Sequence, residues 1–241
     1  MHTFSLYILL MKNKLFALVS LSTAVLLLTA CPSNEVMESK HISQSEIHQG
    51  YFVTYDQQEQ LLTVNAEYRA AGPNGTTIVL SEPSDAICNG NEMGLETYLL
   101  GGAHYVYTKK SGAVNELIDV EFIDLDKKSY KNTILLNAAE IMEGDIKLKK
   151  DGTNTLNVKG RPLKNGEEMK LEMRGDSVNV ELAFTTASVD ITPEKLKDFR
   201  KNEKVSLQII RTSTGTLTNT TARGGNYATT FYSARRYTII Q

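Results

Sequence analysis

The chain has 241 residues, of which 26 are basic and 28 acidic, giving a formal net charge of −2; hydrophobic residues make up 41% and there are two cysteines. A mildly acidic balance excludes the basic footprint that a nucleic-acid partner needs, and two cysteines exclude a disulfide-stapled scaffold. The length suits one large domain or two small ones.

In chain order, Lys12 and Lys14 come before an apolar stretch from Leu15 to Leu27, which runs into Leu28-Thr29-Ala30-Cys31. A basic segment, an apolar core and a small-residue site in that order form an export signal. Lys12 and Lys14 leave the apolar run short of the ~20 residues that a membrane-spanning helix needs. Leu28, Thr29, Ala30 and Cys31 resemble the lipobox of bacterial lipoproteins, the substrates of lipoprotein signal peptidase. The resemblance implies that residues 1–30 are a signal peptide and that Cys31 becomes the lipid-modified first residue. Acyl chains on Cys31 would then make the lipid bilayer a partner. Each buried methylene adds about 0.8 kcal/mol, so two or three chains anchor stably. Met11 fits the true start better than Met1, because an export signal has no role for ten residues ahead of its basic segment. Pro32 replaces the aspartate that keeps enteric-type lipoproteins at the inner membrane, which favours the outer membrane of a two-membrane host. Loss of residues 1–30 removes Lys12 and Lys14 but no acid, shifting the charge to −4.

Residues 31–46 are polar and lack apolar periodicity, and so read as a flexible tether. From Tyr51 onward the period is two. Leu62, Val64, Ala66 and Tyr68 alternate with polar neighbours, as do Ile118, Val120 and Phe122, then Ile146 and Leu148, then Met169, Leu171 and Met173, then Val178, Val180, Leu182 and Phe184. Such runs bury one face of an antiparallel sheet. Asn89-Gly90, Asp151-Gly152, Asn165-Gly166 and Gly175-Asp176 supply turn residues between them. A helix is expected from Pro193 to about Asn202, with Thr192 as N-cap and Pro193 at the first helical position; a second is expected near Asn137 to Glu143. Asn89–Glu96 matches Asn165–Glu172 at six of eight positions, and flanking blocks recur in the same order. The pattern predicts an all-β chain: one or two antiparallel β-sandwich, immunoglobulin-like domains, divided as 47–143 and 144–241. The chain has no Trp, so the Cys…Trp…Cys hallmark of true immunoglobulin domains is missing.

No residues stand at catalytic, cofactor or metal-ligand spacing. Asp119, Glu121, Asp124 and Asp126 could offer oxygen ligands to Ca²⁺, but the change of parity after Glu121 splits them across two strand faces. Arg174-Gly175-Asp176 is the integrin-recognition tripeptide, yet Gly-Asp is also what a two-residue turn requires. His41 and His48 lie in or beside the tether, and His104 begins a strand. Cys88 is left alone once Cys31 is lipidated, and reads as a small buried hydrophobe. The final stretch, Tyr227 to Ile240, reads as strands that complete a core. Together these features point to a lipid-anchored, extracytoplasmic module that binds an envelope protein or glycan without catalysis. A glycan- or peptide-active hydrolase and a subunit of a surface complex are the alternatives.

Overall fold

A computed structural model describes residues 36–97, 102–112, 117–142, 144 and 146–241. The export signal and Leu28, Thr29, Ala30 and Cys31 lie outside the described residues. The strands in chain order are β1 (Val36–Glu38), β2 (Ile47–Asp56), β3 (Leu61–Ala70), β4 (Thr77–Val79), β5 (Asp85–Cys88), β6 (Asn91–Glu92), β7 (Gly94–Thr97), β8 (Ala103–Lys110) and β9 (Leu117–Ile123). There follow β10 (Ser129–Leu135), β11 (Ala139–Ile141), β12 (Asn154–Gly160), β13 (Glu167–Arg174), β14 (Asn179–Phe184), β15 (Ser188–Ile191), the helix α1 (Pro193–Leu196), β16 (Lys204–Thr216), β17 (Gly225–Tyr232) and β18 (Arg236–Ile239).

The protein is an all-β sandwich. One eleven-stranded sheet runs β1-β4-β3-β2-β17-β16-β13-β14, with β8 beside β3, β7 beside β8 and β18 beside β16. A four-stranded sheet, β10-β9-β5-β6, and a three-stranded sheet, β11-β12-β15, complete the set among the described residues. The alternating runs become strands because one parity finds an opposing sheet. Leu62, Val64, Ala66 and Tyr68 of β3 share a core with Ile118, Val120 and Phe122 of β9. An aromatic chain ties these two sheets together: the Tyr68 ring is 4.8 Å from Phe122, which stacks on Tyr130 at 5.7 Å. Met169, Leu171 and Met173 of β13 share a second core with Leu156 and Val158 of β12 and Val189 and Ile191 of β15.

The two cores part between Ala138 and Ala139, but the chain crosses back. Phe231 on β17 belongs to the first core, whereas Ile240 belongs to the second. β17 is also the strand that makes the large sheet continuous, pairing in parallel with β2 and antiparallel with β16. Each core therefore draws on the last residues of the chain.

Several expectations change. Residues 36–46 are not a free tether: β1 pairs in parallel with β4, and two 3-10 turns, Ser39–His41 and Gln44–Glu46, follow it. Ser39 is fully buried and its hydroxyl accepts the Ser81 amide, while Gln44 donates to the Ser39 carbonyl and accepts from the Leu125 amide. Polar side chains bonded to backbone order this segment, so it shows no apolar period. Residues 139–141 form a strand against β12, not a helix. The helix after Thr192 stops at Leu196, and Thr192 makes no side-chain cap. Beyond it the Phe199 amide bonds the Leu196 carbonyl three residues back, a tighter winding than α-helix that lets Leu196 and Phe199 both enter the core.

The repeated blocks occupy unlike positions. Asn165–Glu172 leads into β13, which pairs with β14, the strand that carries the downstream block. The matching Asn89–Glu96 forms β6 and β7, whereas its own downstream block, β9, pairs with β5 and β10 in the other sheet. Strand-rich composition, rather than a duplicated fold, accounts for the match.

Candidate functional site

A cleft of about 590 Å³ opens on the four-stranded sheet, lined by Ile87, Gly90, Asp119, Val120, Glu121, Lys131, Asn132, Thr133 and Thr218. Strand register builds it. Asp119 faces Thr133 and Glu121 faces Lys131 across the β9–β10 ladder, so period-two geometry sets these four side chains on one face. Thr133 donates to the Asp119 carboxylate at 2.7 Å, and Ser129 donates to Glu121 at 2.5 Å. Lys131 lies 3.4 Å from Glu121. Ile87 on β5 supplies an apolar side chain beside this polar row.

Asn132 closes one end of the cleft. It sits at an inward position of β10, between Tyr130 and Ile134, where the alternation calls for a hydrophobe. Its side chain accepts the amides of Thr218 (3.0 Å) and Asn219 (2.9 Å) and donates to the Asn219 carbonyl (2.8 Å). This amide fixes the β16–β17 loop to the edge strand. Replacing Asn132 with Ala should leave two loop amides without acceptors and cost roughly 2–4 kcal/mol. A melting temperature lowered by roughly 5–10 °C is the expected readout, and an unchanged melting curve would show that the loop is held otherwise.

The other singled-out residues scatter. Asp124 is buried, and one of its oxygens accepts the amides of Asp126 and Lys128, both at 2.9 Å, making it the organiser of a turn. Asp119 and Glu121 face the cleft, and Asp126 is exposed. Among the described residues no group of acids, histidines or cysteines is gathered as for a metal ion. His48 belongs to β2 and is buried, bonded to the Arg223 carbonyl (3.1 Å) and the Asn226 side chain (2.9 Å). His104 is buried on β8, 3.6 Å from Glu96 of the paired strand β7. Cys88 is fully buried in the first core.

Gly175-Asp176 is part of a four-residue turn, 175–178, closed by a bond from the Gly175 amide to the Val178 carbonyl. Gly175 is required by close approach: a Cβ there would fall 2.2 Å from a Glu203 carboxylate oxygen. That carboxylate accepts the Asp176 and Arg200 amides, at 2.9 and 2.6 Å, and those bonds hold its pKa below the usual range. The turn is thus engaged from within. The cleft and Asn132 gave no sequence signal, because facing positions on different strands are set by register.

Among the described residues no helix is long and apolar enough to cross a membrane. No protein-family model matches the chain. No curated protein matches it. Among solved structures the chain is similar to SGBP-B of the Bacteroides ovatus mixed-linkage glucan utilization locus, in complex with a mixed-linkage heptasaccharide. Identity is 10%, the match covers 75% of this chain and 53% of that one, and the TM-score is 0.24. The chain spans about half the length of that neighbour, and at this TM-score no functional argument rests on the likeness.

Proposed function

We propose that the protein is an envelope lipoprotein, held to a bilayer by acyl chains on Cys31, that binds a polar ligand or partner without catalysis. Leu28-Thr29-Ala30-Cys31 supports the anchor. The observation that carries the binding role is the cleft itself, with an apolar side chain at Ile87 beside a row of hydroxyl, carboxylate and ammonium groups, the mixture that polar ligand sites use. Its two carboxylates also raise a hydrolase as the second reading. Against that, Asp119 and Glu121 stand two residues apart on one face of one strand, each bonded to a neighbouring hydroxyl. Glycan hydrolysis needs carboxyl groups on opposite sides of the scissile bond.

Two measurements test the proposal. Cys31→Ala should move the protein from the detergent phase to the aqueous phase on phase partitioning; unchanged partitioning overturns the anchor. Envelope polysaccharide and peptidoglycan fractions incubated with the full chain should yield no soluble product. Release of sugar or peptide, abolished by Glu121→Gln, would replace binding with hydrolysis.

A further inference from the structure

The outward face of the large sheet carries a pattern that no single stretch of sequence contains. Thr108 of β8 is directly opposite Thr63 of β3, and Thr63 is opposite Thr54 of β2. Thr54 is opposite Thr230 of β17, which is opposite Thr212 of β16. Five threonines from five consecutive strands therefore form one row perpendicular to the strands. At about 4.8 Å per strand the row is about 19 Å long, the length of a short oligosaccharide. Thr108 is exposed and the other four are partly exposed. Their hydroxyls have no hydrogen-bond partner among the described residues.

The flanking row holds Val106, Asn65, Phe52, Ala228 and Thr214, all uncharged. Phe52 is 41% exposed. Its ring reaches back toward Gly50, 3.8 Å from where a Cβ would stand. Charges border these two rows: Lys110, Asp56 and Lys170 stand in the next row on the threonine side, Glu67 follows Asn65 on the other side, and Glu168 is opposite Thr212.

We infer that this face is a binding site for a neutral glycan chain lying along the threonine row, distinct from the cleft on the four-stranded sheet. Two adjacent rows without charge, in a chain with 54 ionisable Lys, Arg, Asp and Glu residues, match a ligand that has no charge. Hydroxyls at regular spacing offer both donors and acceptors to sugar hydroxyls, and an exposed ring gives a stacking surface for a sugar's C–H face. A second copy of the chain fits less well. Stable homodimer faces are about 65% apolar and rich in large side chains, whereas Phe52 is the only strongly exposed large hydrophobe in these two rows.

The test is calorimetric titration of the full chain, in a zwitterionic detergent free of sugar headgroups, with neutral hexasaccharides of glucose, mannose and xylose. Polygalacturonate serves as the acidic control. At least one neutral oligosaccharide should bind, and Thr54→Val with Thr230→Val should weaken it at least about tenfold while keeping β-branched shape. Thr54→Ser with Thr230→Ser should restore binding, and Phe52→Ala should reduce it. Lys131→Ala, in the cleft, should leave it unchanged. No binding to any neutral hexasaccharide, binding insensitive to the valine pair, or loss with Lys131→Ala instead would overturn the assignment. Dimerisation abolished by the valine pair would assign the face to a second copy.

Discussion

Ending the chain after Arg235 should unfold the second core while leaving much of the first. The six residues removed carry β18, which pairs with Lys204 to Leu207 of β16. They also carry Ile240, fully buried in the second core, and Gln241, whose backbone exchanges hydrogen bonds with Leu148 and Lys150. Thr238 additionally donates to the Ile146 carbonyl at 2.6 Å. One buried isoleucine contributes about 1.5–3 kcal/mol and each lost buried hydrogen bond about 1 kcal/mol. The total, on the order of 5 kcal/mol or more, is comparable with the whole stability of a typical domain. Hydrogen exchange should show β13, β14 and β16 losing protection, while β3 and β9, which share the Tyr68–Phe122 core, keep theirs. Native protection of β13 after truncation would show that the terminal strand is dispensable.

The second large effect belongs to Arg211. It occupies an inward position of β16, with 1% of its side chain exposed, and pairs at 2.5 Å with Glu167, 5% exposed. Its other donors reach the Arg161 carbonyl (2.9 Å), the Ala138 carbonyl (3.4 Å) and the Pro162 carbonyl (3.4 Å). Asn137 donates to the second oxygen of Glu167 at 2.6 Å and accepts from Arg161. The ion pair thus clasps the segment where one core gives way to the other. Arg211→Met should leave a buried carboxylate without its counter-charge and cost about 3–5 kcal/mol. Adding Glu167→Leu should recover much of that, since apolar replacement of a buried pair is often neutral or stabilising. A double variant as unstable as Arg211→Met would show that the bonds to the carbonyls, not the pair, carry the cost.

Acid should act on the same clasp. Burial alone would push the Glu167 pKa up. The Arg211 hydrogen bond, the Lys164 amide, the guanidinium charge and Asn137 outweigh it and hold the pKa below the usual carboxylate range. A depressed folded-state pKa contributes stability above the unfolded value of about 4.3 and loses it as pH falls through the folded value. In Arg211→Met the guanidinium's hydrogen bond and charge are gone while the Lys164 amide and Asn137 remain, so burial is opposed less and the variant loses less stability in acid. Denaturation midpoints of the two proteins should therefore converge as pH falls through this range.

What could be read ahead of the structure follows from the range of each interaction. Leu62 to Tyr68 and Met169 to Met173 announce strands because burial of alternate residues leaves its mark within one segment. The final stretch likewise declares its strands. The parallel pairing of β17 with β2 leaves no local mark, since it joins residues about 175 positions apart. The threonine row is invisible for the same reason: each strand shows one threonine in an ordinary alternation. Residues 36–46 misled because Ser39 and Gln44 are ordered by hydrogen bonds, not by apolar contact. Asn137 to Glu143 misled because its small and apolar residues suit either a short helix or the strand against β12.

The pairing of β1 with β4 sets a leash length. Four residues lie between Cys31 and Val36, and the five steps of chain that join the two reach at most about 17 Å. With acyl chains on Cys31, the sheet edge that begins at Val36 would stand close to the headgroups. β14 lies at the opposite end of the strand path from β1, seven strands along it, so the leash attaches at one margin of the large sheet and not at its middle.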